Sequence, residues 1–408
     1  MSNVAVLGHG VVGSGTVELL LKNKDSIAKK AGSTIDIKYI LDIRDFSDSP
    51  YAEKFTKDIN DILNDSEVTV VAEVMGGVNP AYSFVKSCLE KGKSVVSSNK
   101  ELVAKKGAEL LKVAKEHNCN FLFEASTGGA IPIIRPIHQC LAANEITAVA
   151  GILNGTTNFI LTKMIHEQMS FADALALAQK LGYAEKDPTA DVEGHDACRK
   201  ICILASLAFG KHVYPEWVHC EGITKLTLED IEYAEEWGGA VKLIGSAKKL
   251  DNGKILPIVR PAFVCGRIQL SNVSDVFNAI MVYGDAIDEV MFYGRGAGKM
   301  PTASAVVADI IDAVKMNGTS ISQTWEDSID NSFIEDYKKD ILQMYIRTDG
   351  VSVQQIEKVF GKVEFINKAN VPESEKAFIT MPFAEYDIDK KLNELGGNVL
   401  GKIRVLEL

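Results

Sequence analysis

Along the first 130 residues, short apolar runs alternate with segments whose apolar positions recur at helical spacing. The runs VAVLG (4–8), TIDIKYIL (34–41), VTVVAEV (68–74), SVVSS (94–98) and NFLFEA (120–125) read as strands. Short strands separated by helices predict a parallel sheet with crossover connections. The helix between the third and fourth runs is punctuated, with Asn79 as its N-cap, Pro80 as its first residue and Gly92 as its stop. From about 131 to 300 the pattern changes. The helical runs FADALALAQKLG and ACRKICILASLAFG precede strand-like runs such as KILPIVRPAFV and AIMVYGDAIDEVMFYG, which predicts an α+β domain. PTASAVVADIIDAV (301–314) reads as a helix with Pro301 in its first turn, and the polar MNGTSISQTWEDSIDNS after it reads as a linker. The tail runs ILQMYIRT, VQQIEKVFG, KVEFINK, KAFITMP, EYDIDKKLNELGG and GKIRVLEL follow the order β-α-β-β-α-β. The expected organisation is an α/β chain: a parallel-sheet domain over 1–130 completed by 301–318, an α+β domain over 131–300, a linker over 319–340 and a small domain over 341–408.

Composition narrows the class. A chain of 408 residues exceeds one ordinary core, so two or three domains are expected. An apolar fraction of 46% with 24% charged residues is that of a globular protein. The net charge of -11 argues against nucleic acid or an anionic membrane as partner. No apolar run approaches the ~20 residues of a membrane span. The N-terminus enters a strand without a signal-peptide pattern. Seven cysteines occur without any CxxC, and Cys88, Cys140 and Cys265 sit in apolar surroundings. That usage fits reduced thiols in a cytoplasmic protein, not disulfides or a zinc site.

The first chemistry lies at the first strand's end. Gly8-His9-Gly10-Val11-Val12-Gly13 is a G-x-G-x-x-G between strand and helix. The first glycine permits the tight turn, the second lets a pyrophosphate approach the backbone, and the third lets the helix pack on the sheet. The helix N-terminus then faces the phosphates. This predicts a Rossmann-type dinucleotide domain. The second strand ends Leu41-Asp42-Ile43-Arg44-Asp45. An acid there takes the ribose 2′-hydroxyl of NAD and an arginine accepts the 2′-phosphate of NADP. Both are present, so the choice stays open, and Arg44 reads equally as a surface charge at a strand end.

The second lies in GYAEKDPTADVEGHDACRK (182–200), which gathers Glu185, Asp187, Asp191, Glu193 and Asp196 and ends on Lys200. On a helical wheel Leu204 and Leu207 flank Lys200 by roughly 40° and 20°, with Ile203 and Ala197 about 60° away. Lys200 is therefore in the middle of an apolar stripe, with Asp196 one turn earlier on the same face. A surface ion pair would belong on the polar face, and a buried lysine is costly unless paired or functional. Beside a carboxylate it can hold or donate a proton to a developing alkoxide. Carboxylates around a cationic amine suit a substrate with its own amino group, although each alone reads as part of a solvated loop. Asn99 and Lys100 follow Ser97 and Ser98 at the end of the fourth strand, the sheet edge where ligands bind. A lysine starting a helix is otherwise an ordinary surface residue. Asn154-Gly155-Thr156-Thr157-Asn158 is a polar turn whose donors suit an amino-acid carboxylate and whose threonines equally suit a capped helix start.

Together the glycine loop, Asn99-Lys100, FEASTGGAIPII, GILNGTTNFIL, GYAEKDPTADVEGHDACRK and YGRGAGKMPTASAVVADI resemble the homoserine dehydrogenases over nearly all of 1–315. The resemblance implies reversible NAD- or NADP-linked interconversion of L-homoserine and L-aspartate 4-semialdehyde, in the aspartate pathway to threonine and methionine. It implies that Lys200 donates or accepts the proton with Asp196 as its partner, and that Lys100 lies near the reacting oxygen. Glu185, Asp191, Asn154 and Thr156 then bind substrate. Gly8, Gly10, Val11, Val12, Gly13, Arg44, Ser97, Ser98, Lys100, Gly296 and Gly298 bind cofactor. A sodium ion is implied on the loop of Glu124, Thr127, Gly129 and Ile131, mostly through backbone carbonyls, although Ser126-Thr127 followed by Gly128-Gly129-Ala130 departs from the usual Ala-Val-Ala-Gly-Gly. The region 131–300 becomes a catalytic and dimerising domain in a homodimer or homotetramer. The tail resembles a short ACT domain, but its Thr348-Asp349-Gly350-Val351 abbreviates the usual D-x-x-G-V turn, which puts threonine regulation in doubt. Two rivals stand beside this reading: another amino-acid dehydrogenase on the same fold, and a non-catalytic amino-acid sensor.

Overall fold

The computed structural model describes residues 2–316, 318–320 and 323–406. The chain forms two compact units, one of residues 1–145, 202–215 and 294–329, the other of 146–201, 216–293 and 330–408.

In unit 1, strands β1 (Ser2–Leu7), β2 (Ile35–Leu41), β3 (Phe55–Thr56), β4 (Val68–Glu73), β5 (Ser94–Ser97) and β6 (Phe121–Leu122) form a parallel sheet in the order β3-β2-β1-β4-β5-β6. The order reverses direction at β1 and β4, where ligands of such sheets bind. Val4, Val6, Ile37, Val70 and Val96 are buried with Val17 and Leu20 of the helix Val11–Lys22 and Ile310 of the helix Lys299–Met316. The chain thus returns after residue 294 to complete this core.

Local differences from the sequence reading have physical causes. The helix after β4 spans Ala81–Glu90 with Pro80, not Asn79, in the cap position. The run NFLFEA pairs as a strand only at Phe121–Leu122 and then turns through Glu124–Ser126. There the buried Glu124 carboxylate gathers the amides of Ile133, Ile134 and Arg135 at 2.6, 2.9 and 2.8 Å. The stretch read as linker holds Trp325, which is 5% exposed and packs edge-on against Phe123. A side chain at Gly107 would come within 2.3 Å of that indole, so a glycine is needed there. Asn317, Ile321 and Ser322 of the same stretch lie outside the described residues.

In unit 2, β7 (Ile146–Ile152), the two-residue β8 (His219–Cys220), β9 (Gly239–Lys249), β10 (Ile255–Cys265), β11 (Phe277–Gly284) and β12 (Asp288–Arg295) precede the tail strands. The tail adds β14 (Met344–Asp349), β15 (Val363–Ile366), β16 (Glu375–Thr380) and β18 (Asn398–Val405) with helices Val353–Phe360 and Glu385–Leu395 in β-α-β-β-α-β order, and beyond that pattern the two-residue β13 (Ile341–Leu342) and β17 (Phe383–Ala384), which pair with each other. One sheet runs β12-β11-β7-β9-β10-β18-β14-β16-β15, with β8 on β10. The tail's last strand lies parallel to β10 through Ala262–Arg404 and Phe263–Val405, so the tail extends the sheet of residues 146–293. Arg404 is 4% exposed and bridges Glu385 of the tail to Glu221, with contacts of 2.6 to 2.8 Å. Arg347 donates to Asp230 at 2.9 Å, and the Tyr345 hydroxyl meets the same carboxylate at 3.1 Å. A cavity of about 390 Å³ lies at this seam, lined by Glu193, Glu221, Lys225, Gly401, Lys402 and Arg404 among others.

Candidate active-site residues

The glycine loop of unit 1 has the geometry its spacing predicts. Gly8 has φ +95°, a left-handed conformation that favours glycine, and a Cβ there would lie 2.9 Å from Met75 Cγ. Gly10 caps the helix Val11–Lys22, and a Cβ there would meet nothing within 4 Å. A Cβ on Gly13 would lie 2.0 Å from the Gly8 carbonyl oxygen. The open side of Gly10 is the face a pyrophosphate needs, and Val11 beside it is exposed while Val12 is half-buried. At the end of β2, Asp42 accepts from the His9 amide at 2.7 Å and takes Arg44 Nε and a terminal nitrogen at 2.9 and 2.7 Å. The guanidinium holds the Asp42 carboxyl well below the usual carboxylate range. Arg44 remains exposed, its guanidinium over the Phe46 ring.

The glycine-rich return packs on the loop after β6. A Cβ on Gly129 would fall 2.4 Å from the Gly296 carbonyl oxygen, and the Ala130 amide donates to Arg295 at 3.0 Å. Gly298, at φ +127°, precedes the helix Lys299–Met316, whose Lys299 side chain and Ala303 crowd Gly15 of the first helix. Gly296 and Gly298 therefore lie on a segment that leads to the first helix of the glycine loop. In the loop itself the Glu124 carboxylate is engaged by three amides, and Ile131 is buried. The Thr127 hydroxyl is buried without a hydrogen-bond partner among the described residues.

At the end of β5, Ser97 turns its hydroxyl to Glu73 at 2.5 Å, and the Ser98 amide donates to the Glu73 carbonyl at 3.2 Å. Asn99 caps the helix Lys100–Glu116 by accepting from the Leu102 amide at 3.1 Å. Lys100 is half-buried in the first turn.

In unit 2 the acidic stretch divides. Lys200 is 6% exposed, with its amine 2.8 Å from Asp196 and 2.7 Å from the Leu153 carbonyl. Asn154, 5% exposed, caps the helix Gly155–Glu167 through the Thr157 amide. Its own amide donates to Asp191 at 2.7 Å and Asp196 at 2.9 Å. Lys200, Asp196, Asn154 and Asp191 therefore form one connected group. Thr156 donates to the Tyr183 carbonyl at 2.7 Å, and Glu185 is exposed on the same loop. The remaining acids do local work: Asp187 accepts from the amide and hydroxyl of Thr189, and Glu193 accepts from Thr224.

Sequence reasoning missed two groups. Glu73 lies inside the apolar run VTVVAEV, and a carboxylate within such a run was the available signal. Lys242 on β9 is 2% exposed and bonds Asn158 Oδ1 and the Val273 carbonyl. Burial pushes its amine down to about 8. Asn158 also donates to the carbonyls of Val273, Asp275 and Phe277, which anchors the helix that Asn154 caps.

A parallel sheet with an N-terminal glycine loop, joined in one chain to a buried lysine–carboxylate pair, is the arrangement of a nicotinamide-dependent dehydrogenase. The comparisons narrow this. Residues 8–124 match the model for the homoserine dehydrogenase NAD-binding domain, and residues 132–311 match that for homoserine dehydrogenase. Homoserine dehydrogenase of Bacillus subtilis is 41% identical over 369 residues, covering 88% of this chain and 84% of that protein. The enzyme of Pseudomonas aeruginosa is 43% identical over 313 residues, 76% of this chain and 72% of its own. A crystal structure of a homoserine dehydrogenase from Thiobacillus denitrificans superposes with a TM-score of 0.89 at 33% identity, covering 100% of this chain and 98% of that one. A hyperthermophilic archaeal homoserine dehydrogenase mutant, solved in complex with NADPH, matches 76% of this chain at 27% identity with a TM-score of 0.66. The chain belongs to the homoserine dehydrogenase family. It is an NAD(P)-dependent oxidoreductase interconverting L-homoserine and L-aspartate 4-semialdehyde.

Proposed function

We propose that Lys200 transfers the proton in this reaction, with Asp196 holding its ammonium and Asn154 fixing Asp196. The observation that carries the reading is the buried 2.8 Å Lys200–Asp196 pair. The bound nicotinamide supplies or accepts the hydride at the substrate carbon. The chain's residues do the rest. Lys200 gives a proton to the oxygen as aldehyde becomes alcohol and takes it back in the reverse direction. Asp191 and Glu185 receive the substrate ammonium, and the Asn154–Thr156 turn its carboxylate. Lys100, at the ligand-binding edge of the sheet, is the second amine assigned to the reaction.

Gly8, Gly10, Val11, Val12 and Gly13 hold the pyrophosphate, with Ser98 and the 296–298 glycines completing the cradle. The Ser97 hydroxyl reaches Glu73, so Ser97 serves this edge by shaping it. Asp42 and Arg44 together favour use of both NAD and NADP. A sodium ion fits the 124–131 loop through the backbone carbonyls of Glu124, Thr127, Gly129 and Ile131. The partnerless buried Thr127 hydroxyl supports it, and such an ion would order the loop under the glycine-rich return. The enzyme acts in the cytoplasm as a homodimer or homotetramer through residues 131–300. Its ACT-like tail serves assembly more than threonine sensing. No helix among the described residues is long and apolar enough to cross a membrane. The test is an initial-rate assay of homoserine oxidation with NAD and then NADP, on wild type and on the Lys200 variants described in the Discussion. Activity with both cofactors and its loss with Lys200 are expected, and a Lys200-independent rate would overturn the assignment.

A further inference from the structure

Glu73 is the last residue of β4, paired in register with Leu7 of β1 on one side and Ser97 of β5 on the other. It therefore lies at the reversal point of the sheet, one register step from Gly8. It is fully buried. A carboxylate in such a place is costly unless donors surround it, and here they do. Its Oε2 accepts from the Ser97 hydroxyl at 2.5 Å, and its Oε1 from the Met75 amide at 2.9 Å and the Asn99 side-chain amide at 3.4 Å. Asn99 is also held from behind, because its backbone amide donates to the Ser97 hydroxyl at 3.0 Å and its side chain to the Gly77 carbonyl at 2.6 Å. Glu73 thus grips Asn99 directly and through Ser97, and Asn99 caps the helix that opens with Lys100. The loop 74–77, the end of β5 and the start of the Lys100 helix all converge on one carboxylate.

We infer that Glu73 is a positioning residue for the redox step: it fixes the Asn99 cap and through it the place of the Lys100 amine. The inference rests on the reading that Lys100 acts on the reacting oxygen. Burial raises the Glu73 carboxyl to about 7, against the hydrogen bonds from Ser97, Met75 and Asn99. Its hydrogen-bond partners among the described residues are Ser97 of β5, Met75 of the 74–77 loop and Asn99 at the helix start, and none of these is charged. Its charge state therefore changes near neutral pH, where a mere structural filler would leave turnover unaffected.

The experiment compares Glu73→Ala, Glu73→Gln, Asn99→Asp and Lys100→Ala, singly and as Glu73→Ala/Lys100→Ala, in the full-length enzyme with homoserine and NADP. Misplacing a reacting group by an ångström can cost ~10²-fold, so Glu73→Ala is expected to lower kcat by about 10- to 100-fold with KM values within about threefold. Glu73→Gln keeps an acceptor for Met75 and Asn99 and should recover most of the rate. It should also lose the inflection near pH 7 that is expected of the wild-type kcat. Asn99→Asp keeps the cap but sets a carboxylate against Glu73, so its loss should deepen above pH 7 and be relieved in Glu73→Gln/Asn99→Asp. The Glu73→Ala and Lys100→Ala losses should not multiply. A Glu73→Ala or Asn99→Asp enzyme with normal kcat, or losses that multiply, would overturn the positioning role while leaving Lys100 in place. A Lys100→Ala enzyme with normal kcat would instead remove the reading on which it rests. If Glu73→Ala fails to fold, the Asn99→Asp pair and the pH profile decide.

Discussion

Replacing Lys200 separates chemistry from stability in a way the structure makes quantitative. Lys200 is 6% exposed and its partner Asp196 4% exposed, so each charge depends on the other, and Asp196 also on Asn154. Truncation to Ala removes the proton-transfer group and takes the ammonium away from the buried Asp196 carboxylate, which Asn154 still contacts. A general acid–base group contributes ~10²–10⁴-fold in rate, or about 3–5 kcal/mol of transition-state stabilisation. Breaking a buried ion pair costs about 3–5 kcal/mol of folding stability. The two losses are similar in size and would be confused in a single variant. Lys200→Met keeps the stem's volume, and Lys200→Met/Asp196→Asn also removes the stranded charge. The double variant is expected to recover most of the stability by urea titration while kcat stays ~10²–10⁴-fold down, with homoserine and cofactor KM changed far less. Asp196→Asn alone should lose less rate, because the amine remains. A stable Lys200 variant with kcat within about threefold of wild type would refute the assignment and pass the proton to Lys100 or a bound water.

Three further outcomes follow from the geometry. Arg44→Ala should weaken NADP more than NAD, since Arg44 is the exposed cation at the end of β2, and equal KM changes would show that it does not reach the 2′-phosphate. Threonine, titrated to about 10 mM in the rate assay, should inhibit weakly or not at all, because the tail's first strand–helix turn is abbreviated at Gly350; half-inhibition below about 1 mM would contradict this. The raised Glu73 carboxyl stabilises the fold while protonated. That contribution is fully present below the ordinary carboxylate range and is lost as pH rises through about 7. The melting temperature of Glu73→Gln should therefore gain on wild type between about pH 5 and 8, and a pH-independent gap would contradict the shift.

How much of the site was legible depended on whether its signal was local. The glycine loop declares itself because three glycines, a strand and a helix fall within a dozen residues. Lys200 declares itself because a 100° step sets it among Leu204, Leu207 and Ala197, and its burial confirms that face. The Asn154 bridge is different. Its partners Asp191 and Asp196 lie 37 and 42 residues further on, and only the fold brings them together. Glu73 is an intermediate case. A carboxylate ending a buried strand looks the same in sequence whether it meets water or three donors.

The tail shows the same limit at the scale of a sheet. Alternation in GKIRVLEL shows which side chains share a face of β18, but it cannot show that both faces are covered. Arg404 and Arg347 would ordinarily be placed toward water, yet they are 4% and 6% exposed. They are buried because residues 219–236 supply Glu221 and Asp230 as partners. Against its burial, His219 and then Arg404 hold the Glu221 carboxyl far below its usual range. If the tail left, Glu221 would lose Arg404, and Asp230, which is 2% exposed, would lose Arg347. Strand β10 would at the same moment lose its parallel neighbour. A buried carboxylate without its cation and an uncovered strand edge each destabilise what remains. Removing residues 341–408 therefore cannot test regulation in isolation, since it opens the sheet that also carries β7, from which Leu153 and Asn154 lead to Lys200.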